Sequence, residues 1–179
     1  MKRSRADDLT DIHEGVIVYI LKQIEKPIYP KWLQRFIYLG QALGANTWYR
    51  FRMRITGPYS EDLAYDLAVL DLLAIIDDEG LVSIRDPEWK MSALAEVHIE
   101  VHQEAFDRLF ELFGSFSMDE LNTFSIMLFA EKMLDRPSEK EEVLRAVAYL
   151  LRAKKVTEVS EAYDYLKDNR CLMSCIEEG

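Results

Sequence analysis

The stretch Trp48–Ile76, WYRFRMRITGPYSEDLAYDLAVLDLLAII, decides how this chain is read. From Tyr49 to Ile55 the residues alternate, with Tyr49, Phe51, Met53 and Ile55 on one side and Arg50, Arg52 and Arg54 on the other, the period-two pattern of a half-buried strand. Gly57 has access to backbone angles closed to other residues and Pro58 fixes its own φ, so the pair is expected to break the strand. Ser60 then offers a hydroxyl as a helix N-cap, and Glu61 and Asp62 fall at the positive end of the helix dipole. Leu63, Leu67, Leu70, Leu73 and Ile76 recur at steps of three and four, which predicts one apolar stripe along a helix reaching Ile76.

Upstream of this stretch, Asp8 can cap a first helix with Ile12, Val16, Ile20 and Ile24 as its stripe, ending before Pro27. Pro30 is placed to open a second helix. Its apolar face is Trp32, Leu33, Phe36, Ile37, Leu39 and Leu43, its opposite face is Lys31, Gln34, Arg35, Tyr38 and Gln41, and Gly44 supplies a left-handed stop. Downstream, DDEG at 77–80 reads as a tight turn before a short strand at 81–84. Asp86 and Pro87 then turn the chain so that 89–91 can return as the partner strand of a small wing. With the strand at 49–55 this would make one sheet of two or three strands.

Residues 93–102 fit either a strand or a helix. The reading adopted is one long helix from a cap at Ser92 to Phe113, because the pattern runs on without a breaker. Ser117 with Glu120 and Ser138 with Glu141 are capping boxes, predicting helix starts at 118 and 139, and a last helix should cover about 158–166. The fold class expected is therefore mainly α with a small antiparallel β-sheet. A winged-helix-like part at 1–95 would carry a helical region at 96–179 packed on it as one folded unit.

Composition narrows the function classes. The 179 residues are 49% hydrophobic, enough for one sizeable core, and no run is long enough to span a bilayer. The start, MKRSRADDLTD, has no hydrophobic segment behind its basic residues, so a cytoplasmic protein is expected, and two cysteines near the end make no disulfide framework. The net charge of −10 is unevenly spread: residues 1–60 hold 10 Lys and Arg against 5 Asp and Glu, and residues 61–179 hold 12 against 27. The simplest reading is internal pairing between the two halves. The alternative is an acidic partner or DNA phosphate met by the basic region 26–56, which has no carboxylate at all.

The residues Gly57, Pro58, Tyr59 and Ser60, arriving between an aromatic strand and an amphipathic helix, resemble a motif of the YwgA-like group of small prokaryotic and phage-associated proteins. More distantly the chain is similar to the Panacea, or SocA-like antitoxin, domain. The resemblance covers roughly residues 12–95. It implies a winged-helix topology and a regulatory or adaptor role exercised through protein contacts.

Catalytic patterns are missing: the chain has no P-loop, GxGxxG, GxSxG or HExxH, and its three histidines and seven glycines are thin raw material. His98 and His102 have the spacing of two ligands one helical turn apart, as do Cys171 and Cys175, but no third partner accompanies either pair. The expectation is no metal, no cofactor, no small-molecule substrate and no enzyme activity. A protein partner or self-association, through the aromatic stretch from Phe106 to Phe129, is expected first and DNA second. The helix after the motif carries Glu61, Asp62, Asp66 and Asp71, which phosphate would repel. A DNA contact is therefore expected from Lys31, Gln34, Arg35 and Tyr38 of the second helix together with Arg50, Arg52 and Arg54. Tyr59 is expected to pack its ring on the helix that follows.

Overall fold

Three of the described helices begin where a serine side chain takes up a free amide of the first turn. The computed structural model describes residues 5–134, 139–151, 156–169 and 171. Ser60 Oγ accepts from Leu63 N at 3.2 Å to open α3 (Glu61–Leu72), and Ser92 Oγ accepts from Ala95 N at 3.2 Å to open α4 (Ala93–Val101). At α6 (Met118–Leu134) the box is reciprocal, Ser117 N donating to Glu120 Oε2 at 2.8 Å and Glu120 N to Ser117 Oγ at 3.4 Å. Pro30 is the first residue of α2 (Pro30–Ala42). The first helix, α1 (Arg5–Ile24), starts earlier than expected, so Asp8 lies inside it. The remaining helices are α5 (Gln103–Phe113), α7 (Lys140–Leu151) and α8 (Val156–Asp168). Ser138, Cys175 and the last residues lie outside the described residues, while Cys171 is buried just beyond α8.

The expectations about strands need correcting. The alternating stretch at 49–55 is a strand only over β1 (Arg52–Arg54), and Gly57–Tyr59 does not break it but returns beside it as the antiparallel β2. Gly57, at φ 108°, allows the chain to reverse over Ile55 and Thr56, and Ile55 at the tip is 94% exposed where a buried face was expected. The wing also differs. β3 (Ile76–Asp78) pairs with β4 (Val82–Ile84) through a reversal at Gly80, φ 89°, so the partner of 82–84 precedes it and residues 89–91 form no strand. Ile28 bridges to Val82 on its other side, with N···O distances of 3.0 and 2.7 Å. The two hairpins are separate two-stranded sheets.

Two helix ends were also misplaced. α3 stops at Leu72, leaving Leu73 exposed and Ile76 in β3, because Ala74 turns left-handed at φ 59°. Ile75 N then donates to Leu70 O at 3.0 Å and Ala74 N to Asp71 O at 2.9 Å, the paired bonds of a Schellman stop. α2 ends the same way at Gly44, φ 99°, with Ala45 N to Gly40 O at 2.9 Å. Where α2 uses the favoured glycine, α3 places a Cβ in a region that costs an L-residue about 1–2 kcal/mol. Ala74→Gly should accordingly raise stability by about 0.5–1 kcal/mol in urea unfolding, and a lower midpoint would refute this account. The single helix expected over 92–113 is two, α4 and α5, broken at His102 with φ −107° and ψ 16°.

The fold is mainly helical, and its contacts divide into two units. The first contains α1 to α5 and the β3–β4 hairpin. Its core is α1, buried over nearly its whole circumference from Ile12 to Leu21, with α3, α4 and β4 packed on it and α5 on α2. The second contains the β1–β2 hairpin with α6, α7 and α8, in which β2, α7 and α8 all pack on α6, itself buried from Thr123 to Leu128. Among the described residues no helix is long and apolar enough to cross a membrane.

Candidate functional site

Buried polar groups need partners, and the first unit gathers several of them around one carboxylate. α1 brings His13, α3 brings Asp66, and the segment before β1 brings Tyr49. Asp66 Oδ2 accepts from His13 Nδ1 at 3.0 Å and from the Tyr49 hydroxyl at 2.9 Å, while the His13 and Tyr49 rings stack at 4.1 Å. All three residues are buried. Burial, followed by the charge and hydrogen bond of Asp66, holds the Tyr49 phenol well above its usual pKa. Glu14 beside them is raised by burial and then by Asp66 and Asp11.

A second imidazole belongs to the same unit. His98, on α4, is buried, with its ring 4.9 Å from that of Trp48 and 4.6 Å from that of His102. Burial pushes its pKa down, helped by His102 and His13 and opposed by a hydrogen bond to the backbone of Asn46. Trp48 is half exposed and sits at φ 56°, a backbone conformation that an aromatic residue adopts only when its surroundings impose it. The Nε2 atoms of His13 and His98 are the buried side-chain nitrogens left without a hydrogen-bond partner among the described residues.

The expected binding face of α2 is an interior face. Gln34, Arg35 and Tyr38 are all buried, which removes them from any surface a duplex or partner could touch. Gln34 instead clamps the motif: its Nε2 donates to Ser60 O at 2.9 Å and its Oε1 accepts from Ser60 N at 2.8 Å, as a neighbouring strand would. Gln41 does similar work, donating to Tyr49 O at 3.2 Å and accepting from Thr47 Oγ1 at 2.6 Å. The polar residues of α2 thus hold the main chain on either side of the β1–β2 hairpin. Gln34→Leu would leave both backbone groups of Ser60 unpaired in the interior and should cost about 2–4 kcal/mol. A midpoint shift in urea corresponding to less than 1 kcal/mol would show that the clamp is dispensable.

Burial lowers the Arg35 pKa to about 10, and its Nη1 donates to Lys31 O at 3.5 Å. Burial likewise raises the Tyr38 phenol. Lys31, Arg50, Arg52 and Arg54 are exposed. In the second unit the Arg54 guanidinium lies 3.8 Å above the Tyr59 ring, so Tyr59 holds a cation. Of the motif, Gly57 and Pro58 are buried in the hairpin and Ser60 is wholly enclosed, which makes GPYS a structural junction between β2 and α3.

His13, Tyr49 and Asp66 were not singled out by sequence. Asp66 stood among the carboxylates of α3 and Tyr49 among the apolar positions of a strand, so only the packing of α1 against α3 relates them. Their one legible signal was scarcity, since all three histidines of the chain fall on α1 or at α4 and its end. In comparisons with known proteins, the chain matches no protein-family model and no curated protein.

Proposed function

We propose that this chain is a non-catalytic, cytoplasmic regulatory or adaptor protein that acts by binding another protein. The observation that supports the reading is the outward face of α4. Leu94, Val97 and Val101, spaced i, i+3 and i+7, are 38%, 54% and 72% exposed, while Ala95, His98 and Ile99 on the other face are buried. A solvated helix face is ordinarily polar, and three aliphatic side chains in line on a nine-residue helix form a contact surface for an apolar partner. Tyr65 and Leu72 of α3, in the same unit, are also exposed. The order α1, α2, α3, β3, β4 is compatible with a winged-helix arrangement in which β3–β4 is the wing.

The test compares the whole chain with a Val97→Glu/Val101→Glu variant as bait at equal folded concentration, with sedimentation run in parallel. A stoichiometric partner retained by the wild type and lost by the variant supports the proposal, and a second copy of this chain would register as a dimer. Recovery of the same proteins in the same amounts by both baits overturns it. DNA binding is the second reading, favoured by the exposure of Lys31, Arg50, Arg52 and Arg54. It requires salt-sensitive binding to mixed-sequence duplex that disappears in an Arg50→Ala/Arg52→Ala/Arg54→Ala variant.

A further inference from the structure

We propose that a hollow of about 350 Å³ between α6 and α8 is a binding site for a quaternary ammonium group, the charged end of a choline-like compound or of a trimethylated lysine. The inference does not depend on what protein the chain binds through α4.

The hollow lies within the second unit, where α8 packs on α6. Three of the side chains that line it are aromatic: Phe116 just before α6, Phe124 on α6 and Tyr165 on α8. Their ring centroids form a nearly equilateral triangle, with Phe116 5.0 Å from Phe124 and 5.3 Å from Tyr165, and Phe124 5.2 Å from Tyr165. Phe116 stands at 88° to Tyr165 and at 56° to Phe124, so the rings make a corner and not a flat stack. An ion above such a triangle lies within about 6 Å of all three centroids, the distance over which a ring quadrupole attracts a cation. Phe124 is buried, at the floor, while Phe116 and Tyr165 are half-buried at the sides.

The charge around the hollow has one sign. Asp119, Glu120 and Glu161 line it and are exposed, and among the described residues no Lys, Arg or His does so. Glu120 is partly committed, since its Oε2 accepts from Ser117 N at 2.8 Å and from Ser117 Oγ at 2.6 Å. That box occupies amides at the start of α6, whose dipole would otherwise oppose a cation there. Asp119 and Glu161, one from each helix, supply the remaining negative charge. A carboxylate rim thus stands above an aromatic floor, an arrangement that repels anions and attracts cations.

The floor selects among cations. Thr123 and Ala162 complete the lining and are buried, and the Thr123 hydroxyl is turned to the Asp119 carbonyl, to which it donates at 2.9 Å. A bare ammonium is strongly hydrated and would lose hydrogen bonds against apolar surface of this kind. A quaternary ammonium has no N–H to satisfy, and aromatic faces are the surfaces that recognise it. The volume is at the small end of the range of about 300–1,000 Å³ in which ligand sites fall, enough for a head group and a short chain.

The experiment follows the aromatic carbon–proton correlation spectrum of the whole chain during four titrations. The probes are choline, the neutral alcohol in which a tert-butyl group replaces its trimethylammonium, and a short peptide carrying either trimethyllysine or lysine at one position. The expected result is that choline or the trimethyllysine peptide displaces the Phe116, Phe124 and Tyr165 resonances saturably, while the neutral alcohol and the lysine peptide bind at least about tenfold more weakly. The tighter of the two ammonium probes identifies the source of the ligand. Glu161→Gln, at an exposed position, should weaken that binding by up to about fivefold. Failure of both ammonium probes to displace these rings overturns the proposal, and so does equal binding of the neutral alcohol or of the unmodified lysine. The wild-type titrations decide the matter, so a variant that fails to fold does not protect the idea.

Discussion

Gly15→Ala should lower the stability of the first unit, although the same exchange in an exposed helix would raise it. Alanine is preferred over glycine inside a helix by about 1 kcal/mol. At position 15, however, a Cβ would stand 2.3 Å from the Cβ of Ala95 and 3.6 Å from the sulfur of Met91. Two methyl carbons sit at about 3.5–4.0 Å, so the close seating of α4 on α1 would have to open by more than an ångström. Overpacking of that kind costs about 1–3 kcal/mol even with relaxation, and an enforced separation of two core helices lies at the upper end. The net loss should be about 1–2 kcal/mol, or roughly 2–4 °C in midpoint per kcal/mol for a chain of this size. Trp32, Trp48 and Trp89 all belong to the first unit, so tryptophan fluorescence in urea reads the right transition. Ala95→Gly in the same molecule should return most of the loss. Equal or higher stability of the single variant would mean that α1 and α4 are not held at this spacing.

Asp66→Ala should be the most damaging change of a single polar side chain. It would strip the acceptor from two buried donors at once, the Tyr49 hydroxyl and His13 Nδ1, in a place where water does not replace it. Removing one partner of a buried charged network costs about 3–5 kcal/mol, against about 1 kcal/mol for an ordinary hydrogen bond. Tyr49→Phe, which removes one donor and leaves the carboxylate paired with His13, should cost about 1 kcal/mol. The double variant should cost less than the sum of the two, because the lost bond is shared. A loss below 1 kcal/mol for Asp66→Ala would show that the triad is incidental to the core.

The residues that announced themselves did so through local bonds. Ser60, Ser92 and Ser117 cap helices whose amides lie three residues away, and Gly44 closes a helix within its own turn. What sequence could not disclose depended on remote partners. The alternation at 49–55 was real, but Gly57 at φ 108° allowed residues 57–59 to return, and the pairing of β1 with β2 limited the strand to three residues. Ala74 gave no warning because left-handed stops are read from glycine. Gln34 and Arg35 were read as solvent-facing because a polar stripe opposite an apolar one ordinarily meets water. Gln34 meets a main chain instead, and periodicity carries no information that separates the two cases. For His13 the governing contact spans 53 positions, beyond the reach of any spacing rule.

The chain passes from one unit to the other between Phe51 and Arg52, between Tyr59 and Ser60, and again between Gly114 and Ser115. During synthesis the β1–β2 hairpin therefore leaves the ribosome well before α6, the helix it packs against, has been made. A two-stranded hairpin is marginal by itself, so it must wait, tethered at both ends to a unit that is already assembling around α1. Neither unit corresponds to an uninterrupted run of codons. A fragment stopped at Gly114 carries a stranded hairpin, and one begun at Ser115 lacks it, so the second unit is completed only once α6, α7 and α8 have been made.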